Sequence, residues 1–447
     1  MTPKSTPSSE TDTTSKLLRR ELGVVGATMM GLGAIVGTGI FVSIGNAAGV
    51  AGSGVLVAIV VAAIVAGLNG LSSAQLAAAH PVSGGTYEYG YRWLHPSLGF
   101  TAGWMFLCAK SASAATAALG FAGYGLQLFG VTHPSLQVPL AFAVVGLAAG
   151  VSLVGIRWSS LFNSIVVSIT LSTLSVFVVV GGLSLLRSAP ESPDVGNVVL
   201  DSKLPDIEAS YLGLLEACAL MFVAYTGYGR IATLGEEIRD PRRNIPIAII
   251  ATLITSMILY VSVAWVSIGT VGAEGLSAAT QAQGAPLQVV ARQFVYPDTS
   301  YVVAVGAVTA MMGVLLNLVL GLSRVVLAMG RRGDLPKWFA QVDPTGRTAP
   351  AAVIGVALLI GGLVAIGNIK TTWSFSAFTV LIYYAITNMA AIQMADHERR
   401  YPRWMAWLGL LSCLFLAFWV ELQVWVVGVA MIGIGLAWWR WRASLIR

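Results

Sequence analysis

A chain of 447 residues that is 56% hydrophobic and only 10% charged lies far from soluble domains, in which about a quarter of residues carry charge. With a mean hydropathy of +0.78, this excludes an ordinary soluble protein and predicts an all-α membrane protein, whose apolar runs are long enough for helical crossings of ~20 residues. The net charge of +6 does not indicate a nucleic-acid partner, because the basic residues fall in short segments between apolar runs and report topology.

Residues 1–22 form a polar cytoplasmic tail rich in Ser and Thr, then basic at Lys16, Arg19 and Arg20. No separate apolar segment precedes the first span, so no cleavable signal peptide is expected. The apolar runs then predict twelve transmembrane helices: 23–45, 53–79, 98–129, 136–155, 159–186, 211–235, 245–272, 300–328, 349–367, 372–394, 403–419 and 421–439. Residues 440–447 are a cytoplasmic C-terminal tail. Of the 26 Lys and Arg, Arg187, Lys203, Arg292 and Lys370 fall on outer segments and Lys110 within the membrane. The other 21 fall on segments that are cytoplasmic when both termini are, or, for Arg230, Arg324 and Arg403, at the inner ends of spans, and this excess sets the orientation. The longest outer connections are 187–210 and 273–299; the longest inner ones are 80–97, 236–244, 329–348 and 395–402. None is large enough for a soluble catalytic domain, so function lies within the bundle. Cys108, Cys218 and Cys413 are scattered through apolar runs, a pattern of packing residues rather than disulfides or a metal site.

The first span carries Gly31, Gly33, Gly37 and Gly39 within nine residues. Each glycine weakens a helix by roughly 1 kcal/mol relative to alanine, and broken backbone at membrane depth is tolerated only where it is buried in protein or lines a cavity. The sixth span repeats the feature at Gly227 and Gly229. Glycine-interrupted segments at matching positions of two halves point to a transporter site. A five-span period inverts the second unit, giving inverted repeats over 23–186 and 211–394, with 403–439 as an addition. Amides at Gly37, Thr38 and Gly39, with the positive end of a half-helix, suit a carboxylate. Carbonyls around Ala224–Thr226 suit an ammonium. The pair fits the zwitterion common to amino acids. The competing reading is that the glycines only allow close helix packing.

Several motifs then occur in order: Gly37-Thr38-Gly39-Ile40-Phe41; Pro81-Val82-Ser83-Gly84-Gly85 with Tyr87 and Tyr89; Phe222 to Gly227 with Glu236-Glu237 and Asp240 to Pro246; and Ser323-Arg324 with Ala328 to Pro336. In these the chain resembles the amino acid–polyamine–organocation (APC) superfamily of permeases over residues 20 to about 400. The resemblance implies a LeuT-like 5+5 inverted repeat with broken helices 1 and 6, and alternating-access transport of an amino acid or related amine. It implies substrate contacts at Ile35, Gly37, Thr38, Gly39, Ala224, Tyr225, Thr226 and Gly227, with Tyr225 as an aromatic gate. Two departures stand out. Thr170 occupies the place where many members carry a lysine on span 5, and Gly229 stands where an acidic residue often follows the span-6 aromatic.

Lys110, near mid-membrane in span 3, is functional by default. It can bind and release a proton during a transport cycle, act as a fixed cation on a broken helix, or touch the substrate. Glu216 is placed in an outer vestibule, Tyr228 and Arg230 at the gate and inner pathway. Span 8 offers Thr309 and Asn317 but no adjacent Ser/Thr pair, which disfavours sodium coupling relative to proton coupling or exchange. His80, His95, His133 and His397 lie at span ends or in loops, so no intramembrane enzyme centre is expected, and neither is a metal or cofactor. The first substrate choice is a small or medium neutral amino acid, with protons and lipid as further partners. The second is a cationic amino acid or polyamine, with Glu216 as its partner. A nontransporting sensor is the alternative from another class. The expected location is the bacterial inner (plasma) membrane.

Overall fold

The computed structural model describes residues 22–81, 84–131, 133–154, 160–187, 207–233, 237–343 and 348–446. Among the described residues every regular element is a helix, and the one β-type pairing is an isolated bridge between Leu22 and Ile238. The first part of the chain forms α1 (Val24–Ile35), a π turn (Gly39–Ser43), α2 (Ile44–Ala51), α3 (Val55–Ala79), α4 (Thr86–Trp93), α5 (Pro96–Leu128), α6 (Gln137–Val154) and α7 (Ser160–Arg187). The second part forms α8 (Ile207–Tyr225), a 3-10 turn (Thr226–Tyr228), α9 (Gly229–Thr233), α10 (Pro241–Gln283), α11 (Pro286–Ala291), α12 (Thr299–Arg332), α13 (Pro350–Val364) and α14 (Ile369–Gln393). Helices α15 (Arg403–Phe418) and α16 (Leu422–Ile446) complete it.

Nine stretches of the described residues are long and apolar enough to cross a membrane, and α13 and α15 are shorter apolar helices. The first stretch, Val24–Ala79, is 56 residues long, far more than the ~20 that one crossing uses. It is divided by the break after α1 and by a turn at Gly52–Gly54. Large apolar side chains such as Leu161, Ile258, Leu358, Leu411 and Phe418 are more than half exposed. On a protein in water that belt would aggregate; on this one it is the lipid-facing surface. In the most apolar part of α5, 83% of residues are buried, against 17% in α16. Helix α5 is therefore central, packed against α12 and α14, and α16 is peripheral.

Two segments read from sequence as connections are helical in part. Within the stretch 80–97, α4 forms an eight-residue helix. Within the stretch 273–299, α10 continues past a break at Gly272 (φ 71°, ψ 169°) to Gln283, and α11 follows. The reason is packing: Ser277 and Thr280 of this continuation lie directly against Gly45 and Gly49 of α2, so these two side chains are buried rather than solvated.

Candidate functional site

The predicted break in the first span lies immediately after α1. Val36 (φ −82°, ψ 86°) turns the chain, and the Gly37 amide donates to the Ile35 carbonyl at 3.0 Å, closing a three-residue turn. The helix restarts at Thr38 and runs through the π turn into α2. The Thr38 and Gly39 amides thus open a new helix, where N–H groups have no partner within the helix. The Gly37 amide, expected to be open, is spent on the turn.

The second break is gentler than expected. Tyr225 (φ −84°, ψ −16°) passes into the 3-10 turn and Gly229 (φ −54°, ψ −24°) into α9, so the backbone tightens rather than unwinds. Side chains take up the carbonyls. Thr226 Oγ1 donates to the Val223 carbonyl at 2.7 Å, and Tyr384 Oη donates to that of Thr226 at 3.2 Å. Tyr260 of α10 shares its hydroxyl proton between the Ile35 carbonyl (2.9 Å) and the Ala224 carbonyl (3.1 Å). One side chain therefore caps the C-terminal end of both half-helices.

None of Gly37, Gly39, Gly227 and Gly229 has a positive φ. Close approach explains Gly39 and Gly227. A Cβ on Gly39 would lie 2.5 Å from Tyr260 Oη and 2.9 Å from Ala224 Cβ; one on Gly227 would lie 2.5 Å from the Ala34 carbonyl. Each break presses its glycine onto the helix end of the other.

A cavity lies between the breaks. Ala34, Ile35, Thr38 and Gly39 line it from the first, and Val223, Ala224, Thr226 and Gly227 from the second. Helix α5 contributes Lys110 and Ser113, α12 contributes Val314 and Leu318, and α14 contributes Trp373. Lys110 Nζ donates to Thr226 Oγ1 at 2.8 Å. Thr38, only 4% exposed, has a hydroxyl with no hydrogen-bond partner. Trp373 is fixed by its indole N–H on the Leu220 carbonyl at 3.0 Å.

The other sequence-predicted residues lie elsewhere. Gly37 packs on Val314. Tyr225 is fully buried with its ring against Tyr260, centroids 5.1 Å apart, and does not line the cavity. Tyr228 packs likewise on Tyr384 at 5.5 Å. Thr170 is buried and donates to the Val166 carbonyl of its own helix. Glu216 lies within electrostatic range of the Lys370–Glu421 ion pair. Arg230 lies past the second break, near Gly321 and Arg324 of α12. Sequence reasoning missed Tyr260, Tyr384, Trp373 and Ser113. A signal existed for Tyr260: a tyrosine inside an otherwise apolar run carries a hydroxyl that needs a buried partner.

Two of the sequence motifs meet at a second cluster. Tyr87 and Tyr91 of α4 donate to Asp334 Oδ2 at 2.6 and 2.7 Å, just past the end of α12. Arg332 pairs with Glu88 at 2.6 Å and lies over the Tyr91 ring at 4.0 Å. Burial, and then the Asp334 carboxylate, hold both phenols protonated well above their usual range.

The sequence profile of the amino acid permease family matches residues 22–439. An uncharacterized transporter of Mycobacterium tuberculosis is 38% identical over 94% of this chain and 90% of its own length. The branched-chain amino acid permease of Bacillus subtilis is 27% identical over 90% of this chain and 88% of its own. Human cationic amino acid transporter 4 is 29% identical over 88% of this chain and 62% of its own.

Proposed function

The chain belongs to the amino acid permease family, and on that premise we propose that it is a secondary active transporter carrying an amino acid across the membrane by alternating access. The observation that carries this reading is a cavity lined by both helix breaks. The opening amides at Thr38 and Gly39, at the positive end of a half-helix, suit the α-carboxylate. The remaining lone pairs of the Ile35 and Ala224 carbonyls suit the α-ammonium. Twelve crossings, with 23–186 and 211–394 as inverted repeats, fit the way the breaks meet. Gly39 against Ala224 and Gly227 against Ala34 is the reciprocal contact that a two-fold relation would give.

Within this reading Lys110 binds and releases the coupling proton, and Thr170 leaves the usual span-5 position uncharged. Glu216 serves the outer vestibule and Arg230 the inner pathway. Tyr225 and Tyr228 shape the second break from behind. Reconstitution into liposomes tests the reading. A labelled mixture of amino acids should enter faster when unlabelled amino acids are trapped inside. Binding without such counterflow would favour a sensor. Lys110→Ala should still bind substrate but no longer accumulate it along an imposed pH gradient; uptake that still follows the gradient would remove the proton role.

A further inference from the structure

We infer that the substrate of this cavity carries a second negative group, so that the site selects an acidic amino acid such as glutamate or aspartate. The inference rests on the transport reading above and names its substrate class.

The cavity holds one charged side chain among the described residues that line it, Lys110, and no carboxylate. An ammonium has three donors, and the hydrogen bond to Thr226 Oγ1 uses one. No ion pair of Lys110 occurs among the described residues. A charge held at membrane depth without a counter-charge is costly, and a substrate anion would supply what the protein does not.

The polar groups have the same bias. Most carbonyls around the breaks already accept one side-chain hydrogen bond: those of Ile35 and Ala224 from Tyr260, of Thr226 from Tyr384, of Val223 from Thr226, and of Leu220 from Trp373, and the second lone pairs of Ile35 and Ala224 are left for the α-ammonium. Ser376 donates to the Ala109 carbonyl at 2.9 Å, so in the 2.8 Å contact between Ser113 and Ser376 it is Ser113 that donates. The donors still open are two N–H groups of Lys110, the unpartnered Thr38 hydroxyl and the opening amides of the second half-helix. A donor-rich, positively charged cavity fits two carboxylates better than one. The α-carboxylate goes to the amides at Thr38 and Gly39, and the side-chain carboxylate to Lys110. An arginine or lysine substrate would instead bring a second cation beside Lys110, with no acid to receive it.

The test is binding to the purified full chain, followed by isothermal titration with L-glutamate, L-glutamine, L-leucine and L-arginine. Glutamate and glutamine differ in charge but hardly in shape. Glutamate should bind at least tenfold more tightly than glutamine, and arginine most weakly. In Lys110→Met the glutamate-to-glutamine preference should fall at least tenfold, and in Lys110→Arg it should persist. Should Lys110→Met fail to fold, the comparison in the unaltered protein decides alone. Glutamine or leucine binding as tightly as glutamate would overturn the inference and leave the permease reading standing. Binding of no amino acid at all by folded protein would overturn both.

Discussion

Gly39 shows how one absent methyl group sets the geometry of the site. Its Cα must pass between Tyr260 Oη and Ala224, where a Cβ would be 2.5 Å from the former. Neither neighbour can move freely: the hydroxyl is held by two carbonyls and Ala224 is part of the α8 backbone. Gly39→Ala should therefore strain both breaks, at about 1–3 kcal/mol for overpacking, and abolish uptake. Gly67 supplies the control. It lies inside α3, and a Cβ there meets nothing within 4 Å, so Gly67→Ala should keep uptake and add up to about 1 kcal/mol of helix stability. Thermal unfolding and uptake of the two variants side by side check this; equal behaviour would remove the close-approach role of Gly39. Sequence alone marks Gly39 as notable, because glycines cluster there. It offers no way to separate Gly39 from Gly37, whose amide closes a turn, since that difference depends on Tyr260, more than two hundred residues away.

Helices differ in how far their sequence reveals them. Long apolar helices such as α3, α5, α7 and α12 fall within a few residues of the predicted runs, because their lipid and core faces are both apolar and length alone identifies them. Helix α4 is different. It is eight residues long and carries Glu88 and Arg92, so no apolar run announces it, and it is held by contacts distant in sequence. One is the Asp334 cluster. Another is the joint with the end of α3, where Arg92 donates to His80 Nδ1 at 3.1 Å and lies 3.6 Å from Glu398. That bond needs a neutral imidazole. Burial, and then the Arg92 charge, hold His80 below its usual value, with Glu398 pulling the other way. Since the folded pKa lies below the unfolded one, neutral His80 contributes its stability above about pH 6.5, and this is lost as the pH falls below that value. Thermal stability of the protein should therefore decline on acidification below about pH 6.5, and His80→Gln, which keeps an acceptor without titrating, should decline less. Parallel profiles would show that His80 does not control this joint.

For the molecule as a whole, composition argues for a membrane protein and charge distribution argues for its orientation. The structure adds which charged residues at the ends of a crossing are exposed. Asp298, at the start of α12, and Lys337, just beyond its end, are both exposed. They sit at opposite ends of a 34-residue helix, which at 1.5 Å per residue is about 50 Å long and exceeds the hydrocarbon core of ~30 Å. The excess of Lys and Arg on one set of loops predicts that the Lys337 end faces the cytoplasm. The native thiols do not interfere, because Cys108, Cys218 and Cys413 are all buried. A membrane-impermeant maleimide applied to intact cells should therefore label Asp298→Cys at once and Lys337→Cys only after permeabilisation. The reverse pattern would invert the protein in the membrane. It would then place Glu216 and the Lys370–Glu421 pair on the cytoplasmic side, and the Asp334 cluster outside. Labelling of both from one side would mean that α12 does not cross, and the repeat built on twelve crossings would fail with it.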